Sequence, residues 1–187
     1  NVDSVNPTAQ AKPAAKKTID DALKAKNDEI DARTDLTDEE KTVAKADAKA
    51  KADAVKQEID KATTNDAVTQ AKVDGITEVA SVNPQPEAKT EAKKVIYDAL
   101  KAKNDEIDAR TDLTGEEKAK AKEEAKKKAD AAKEAIDNAT TNAAVEQAKA
   151  NGTTEVNNVN PTPEAKPAAK KAIDDALKAK NDAIDAR

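Results

Sequence analysis

The sequence predicts an all-α protein made of tandem antiparallel three-helix bundles, arranged end to end as an elongated rod. Three observations lead to this. The segment DALKAKNDEIDARTDLT at 21–37 recurs unchanged at 98–114, and again as DALKAKNDAIDAR at 175–187, each time 77 residues on. Apolar residues fall at helical spacing between capping and turn signals that keep the same phase. The 187 residues hold 42 Ala against 26 Leu, Ile and Val, with Tyr97 as the sole aromatic, so a single large core is not expected. Fully burying a Leu- or Phe-sized side chain stabilises by roughly 1.5–3 kcal/mol, and few such side chains exist here.

The first helix of each unit is expected over roughly 9–33, 86–110 and 163–187, with an apolar stripe at Ala15, Ile19, Ala22, Leu23 and Ile30. Pro86 and Pro163 suit the first helical position, after Gln85 and Thr162. Pro13 and Pro167 lie further in, so units one and three are expected to start their helix later or to kink there.

The second helix is expected over 38–62 and 115–139. Thr37 with Glu40, and Thr114 with Glu117, match the capping box, in which the Thr hydroxyl accepts from the backbone amide three residues on and the Glu reaches back. Its seam is almost all alanine: Ala44, Ala48, Ala52, Val55, Ile59 and Ala62, then Ala121, Ala125, Ala129, Ala132, Ile136 and Ala139. Such a seam admits a neighbouring helix at the close end of the usual 8–10 Å range, and Ala supports the helix locally where burial is thin.

The third helix is expected over 65–80 and 142–157, capped by Asn65 and Asn142 or by the Thr before each. Gly75 and Gly152 sit on its seam among Val68, Ala71 and Val79, and Val145, Ala148 and Val156. Glycine inside a helix costs about 1 kcal/mol relative to Ala, so close backbone approach is the favoured reason for it, against a tolerated weak spot.

These elements define up-down-up, spectrin-like bundles: 1–8 as the end of a preceding repeat, 9–85 and 86–162 as complete repeats, and 163–187 as the first helix of a third. The boundaries fall at the proline-containing segments 80–86 and 157–163. A competing frame begins each bundle at TDLT, giving 34–110 and 111–187. Leu, Ile and Val are scarce enough to raise disorder as an alternative. Low net charge, in-phase caps and uniform helical spacing favour a folded chain.

The composition also removes chemistry. There is no His, Cys or Met, and Ser4 and Ser81 are the only serines. Imidazole bases, thiolate nucleophiles and ordinary zinc sites are therefore excluded, and no catalytic residue, cofactor site or metal site is expected. A net charge of −5 argues against nucleic acid, which selects clustered excess Lys and Arg. No run of about 18 apolar residues exists to span a membrane.

Lys26, Lys103 and Lys180 lie on the apolar stripe of the first helix and read as snorkelling lysines rather than ligand contacts. The abundant carboxylates suggest Ca²⁺, but no DxDxDG loop accompanies them. Asp20–Lys24 and Glu29–Arg33 read instead as exposed helical ion pairs. Tyr97 reads as a lone surface or seam residue, and the Asn151-Gly152-Thr153 sequon lies inside a helix and carries no weight.

LTDEEK at 36–41, IDKATTNDAV at 59–68 and the VNP-x-P-E-AK linker resemble the tandem repeats of the domain of unknown function 1542 family. The resemblance covers essentially the whole chain. It implies three-helix repeats in an extracellular, cell-wall-attached fibrillar protein of Gram-positive bacteria, associated with adhesion and biofilm. It supplies no catalytic residues, and the sorting motif expected of such a parent is not in this sequence.

The expected function is a non-catalytic stalk that projects another domain outward, with adjacent repeats as its partners and a monomeric chain. The alternative is a helical binding module for a host protein or for cell–cell contacts. That reading calls for exposed aromatic or large apolar clusters, of which Tyr97 is the one trace. A coiled-coil oligomer and an enzyme are weaker readings.

Overall fold

The structure is a computed structural model and describes residues 10–186. The expected tail of a preceding repeat, with Asn6-Pro7, lies outside the described residues. Seven helices occur among them and no strand: α1 Ala11–Ala32, α2 Asp38–Lys61, α3 Asn65–Ala80, α4 Glu87–Ala109, α5 Gly115–Asn138, α6 Asn142–Asn157 and α7 Ala165–Asp185. The all-α architecture therefore holds, and α3 and α6 have the expected limits. Contacts divide the chain into two compact units, Asn1–Lys89 with Thr140–Asn142, and Thr90–Ala139 with Ala143–Arg187.

The caps were the most local of the expectations. Thr37 and Thr114 each close a complete capping box, accepting from the Glu40 and Glu117 amides at 3.3 Å. Thr64, not Asn65, caps α3, accepting from Ala67 N–H at 3.1 Å. Two proline expectations are corrected. α1 and α7 begin before Pro13 and Pro167, not after them, and each proline is the third helical residue. An amide there has no intrahelical acceptor, so its loss costs nothing, and the next bonds, Ala14 N–H to Gln10 and Ala168 N–H to Glu164, form at 3.0 Å. Pro86 and Pro163 are not first helical residues: α4 starts at Glu87 and α7 at Ala165.

In the first unit α1, α2 and α3 pack around Ala15, Ile19, Ala52, Val55, Ile59, Val68 and Val79. Charged pairs reveal the register of α1 on α2. Lys16 pairs with Asp60, Asp20 with Lys56, and Asp31 with Lys45, so one helix ascends as the other descends. The starts of α1 and α3 lie side by side, with Ala11, Ala15 and Thr18 facing Asn65, Val68 and Lys72, which completes the up-down-up order. The second unit repeats the pattern. Lys93 pairs with Asp137, Asp108 with Lys122, and Lys128 of α5 with Glu155 of α6 at 2.7 Å.

The expected pairs Asp20–Lys24 and Glu29–Arg33 are corrected. Asp20 is taken by Lys56 across the helix pair, and Lys24 turns the other way to Asp28 at 2.6 Å. Arg33 forms a two-pronged pair with Asp35, both contacts at 2.7 Å, while Glu29 pairs with Lys26. Asp20 thus finds its partner on another helix, whereas Lys24, Glu29 and Arg33 keep partners within four residues. Exposed pairs of this kind are worth about 0–1 kcal/mol each and are screened by salt.

The third-helix glycines are packing residues. A Cβ on Gly75 would run into Val55 Cγ1, with Val55 Cγ2 at 2.9 Å and Ile19 Cδ1 at 3.0 Å. A Cβ on Gly152 would strike Ala132 Cβ, with Ile96 Cδ1 at 3.0 Å and the Ala132 Cα at 3.4 Å. Gly115, by contrast, has nothing within 4 Å of such an atom.

Two core contributions lie outside the expected stripes. Leu36 and Leu113 of the TDLT turns are buried, as are Val82 and Val159 of the proline segments. Val82 packs with Ile30, Leu36, Ala44 and Ala48, and Val159 with Ile107, Ala121 and Ala125. The segment after each third helix is thus pinned into the end of the bundle by one valine.

Candidate functional site

The most structured polar constellation lies where a third helix ends and the next first helix begins. In the second unit, Glu117 Oε2 accepts from Thr114 N–H at 2.7 Å, closing the capping box of α5. Its other oxygen, Oε1, accepts from Glu164 and Ala165 N–H at 2.8 and 2.9 Å, at the start of α7. Lys166 Nζ donates back to Thr111 O at 2.5 Å, and Arg110 donates to Asn160 Oδ1 at 3.4 Å while gripping Asp112. The first unit carries the counterpart 77 residues earlier. Glu40 Oε2 accepts from Thr37 N–H and Oε1 from Ala88 N–H, both at 2.9 Å. Lys89 Nζ donates to Thr34 O at 2.9 Å, and Arg33 to Pro84 O at 3.3 Å. This explains why Pro86 and Pro163 precede their helices: the first helical amides already have a carboxylate acceptor from α2 or α5. Lys89 is only 4% exposed, a burial that no helical stripe signalled.

These contacts shift titrations. Three donated amides, from Thr114, Ala165 and Glu164, hold the Glu117 carboxyl at about 2, below its ordinary 4.5. The Arg110 guanidinium holds Asp112 at about 2, below 3.8. Both folded values are depressed, so the stabilisation is complete above the unfolded values and is lost as pH falls through the folded ones. The melting temperature of the second unit is therefore expected to stay level from pH 7 to about 5 and to decline steadily toward pH 2. Thermal melts across that range check it; Glu117→Gln should remove part of the decline, and an unchanged profile in that variant would contradict the assignment.

The remaining flagged residues divide. Lys26 and Lys103 bury their stems among the helices, being 7% and 6% exposed, and place Nζ 2.7 Å from Glu29 and Glu106 at the surface. They snorkel as expected. Lys180 stands on α7, none of whose residues is buried; Ile173, Leu177 and Ile184 there remain exposed. Tyr97 is 59% exposed on α4. Asn151 is inside α6, where its Oδ1 accepts from Gln147 Nε2 at 2.8 Å. Beside each junction runs an open groove. In the first unit Glu39, Val43, Asp47, Pro84 and Glu87 line it; in the second, Lys120 and Glu124 replace Val43 and Asp47. Among the described residues no group of three or more carboxylates gathers to hold a metal, and no helix is long and apolar enough to cross a membrane.

The two units are thus helical repeats in tandem, each closing its own aliphatic core and each carrying the same polar constellation. This chain belongs to the family Domain of Unknown Function (DUF1542), which it matches twice, over 11–87 and 88–164. Among relatives, it is 34% identical over 177 residues to the "Extracellular matrix-binding protein ebh" of Staphylococcus aureus strain USA300 / TCH1516. That alignment takes in 94% of this chain and 2% of the relative. It is 31% identical over 180 residues to the "Extracellular matrix-binding protein EbhA" of S. aureus strain Newman, covering 96% of this chain and 5% of the relative. The chain therefore spans only a few per cent of the length of these relatives. No solved structure matches it.

Proposed function

We propose that the chain is a non-catalytic spacer segment of an extracellular, cell-wall-attached adhesin, in which repeats framed as 9–85 and 86–162 stand in series and carry other domains outward. The observation that carries this reading is self-sufficiency. Each unit buries most of its large aliphatic side chains in its own core, down to the valine of its linker, leaves only scattered ones such as Val43, Val73 and Val95 exposed, and presents Lys–Asp pairs to solvent. A spacer needs this: units with cores of their own and a surface dominated by charge. The names of the relatives support a place at the cell surface. Small-angle X-ray scattering tests the spacer role. Two repeats collapsed into one globule would have a radius of gyration near ~15 Å by the size scaling of compact domains. Units in series, each with a longest helix of 24 residues rising 1.5 Å per residue, should give a clearly larger value and a maximum dimension on the order of 100 Å. A compact profile would refute the spacer reading. A second reading, a matrix-binding module, is favoured by the printed names of the relatives and by Val43, 71% exposed beside the junction groove of the first unit. Retention of the chain on immobilised extracellular matrix, lost in Val43→Asp, would favour it.

A further inference from the structure

We propose that the capping-box glutamate is a two-way latch, which makes the first turn of each following helix depend on the fold of the repeat before it. A capping box needs only one carboxylate oxygen: Oε2 of Glu117 answers Thr114 N–H, and Oε2 of Glu40 answers Thr37 N–H. In both places the second oxygen is turned to a helix start 47 or 48 residues later in the chain: Glu164 and Ala165 for Glu117, Ala88 for Glu40. Those amides are among the four that an α-helix cannot satisfy itself, and α7 has no side-chain cap of its own. A return contact closes each junction, from Lys166 Nζ to Thr111 O and from Lys89 Nζ to Thr34 O, onto the loop just before the capping box. The same loop's Arg110 and Arg33 hold the proline segment, and Val159 and Val82 anchor it in the core. Carboxylate, ammonium, guanidinium and valine thus recur together with the 77-residue period. One carboxylate thus orders two helix starts at once. The inference is independent of the spacer reading, since a carboxylate shared by two helix starts would serve a binding array as well.

Hydrogen exchange read by mass spectrometry on the full chain tests this. Removal of a charged acceptor is expected to speed exchange of the amides at 164–166 about tenfold or more in Glu117→Ala, together with those at the start of α5. Thr114→Ala breaks the box but leaves Oε1 in place. It should speed exchange at the start of α5 while 164–166 keep most of their protection. Glu117→Gln, which keeps an uncharged acceptor of the same shape, should speed 164–166 by less and leave the α5 core at 121–136 unchanged; it serves if Glu117→Ala melts the unit. Wild-type protection at 164–166 in both Glu117 variants would overturn the latch. So would an equal rise across the whole of 90–186, which would mark general destabilisation.

Discussion

Ile96→Ala is expected to unfold the second unit at moderate temperature while the first unit stays folded. Ile96 is fully buried, and it closes the space between α4, α5 and α6 where Gly152 and Ala132 meet. Truncating a buried Ile costs about 2–5 kcal/mol, because the lost transfer energy is joined by the energy of an incompletely collapsed cavity. A repeat of this size has only about 4–12 kcal/mol of stability in total. The Ala-lined faces around the site have no long side chains to swing into the void, which places the cost toward the upper end. Circular dichroism melts should change from a single or closely overlapping transition to two resolved ones. Ile19→Ala, at the matching position, should leave the second unit's transition in place. Loss of both transitions together in Ile96→Ala would show that the units do not fold separately.

Gly152→Ala should also destabilise, against the direction that helix propensity alone dictates. Ala gains about 1 kcal/mol over Gly in a helix interior. Here the new methyl meets the Ala132 Cβ and approaches the Ala132 Cα, so relief requires α5 and α6 to separate. Overpacking of that kind costs about 1–3 kcal/mol, and the net effect is a lowered melting temperature. Gly75→Ala provides the contrast. Its methyl meets the side chain of Val55, so a second change, Val55→Ala, should rescue it, whereas at Ala132 no shorter side chain than a methyl is available short of a second helical glycine. A melting temperature raised by Gly152→Ala would show that the helices are less tightly approached than the geometry states. Thermal melts of Gly152→Ala, and of Gly75→Ala, Val55→Ala and their combination read as a double-mutant cycle for the 55–75 pair, make the comparison.

The elements legible in the sequence are those whose causes are local. The seams of α2 and α5 could be named residue by residue, because a 3.6-residue period turns apolar positions to one side whatever they meet there. Thr37 and Thr114 could be named as caps because their partners lie three residues away. The choice of Thr64 over Asn65 was left open by sequence: both residue types accept from an amide, and the local backbone decides which stands outside the helix.

The junction was only half legible. Glu117 was recognisable for what it does to Thr114, but nothing within a few residues marks the amides of Glu164 and Ala165 as its second target. Local spacing points Asp20 to the lysine four residues on, while its partner Lys56 stands on another helix. Val82 and Val159 read as linker residues, since a proline-rich setting carries no helical period; burial shows them to be core. The helices, their caps and their apolar faces follow from spacings shorter than two helical turns, and the repeat from the identity of segments 77 residues apart. The tertiary structure decided which charges meet, why Gly75 and Gly152 carry no side chain, and where the second oxygen of each capping glutamate goes. Those outcomes depend on groups dozens of residues apart, which come within hydrogen-bond reach only once the helices have packed.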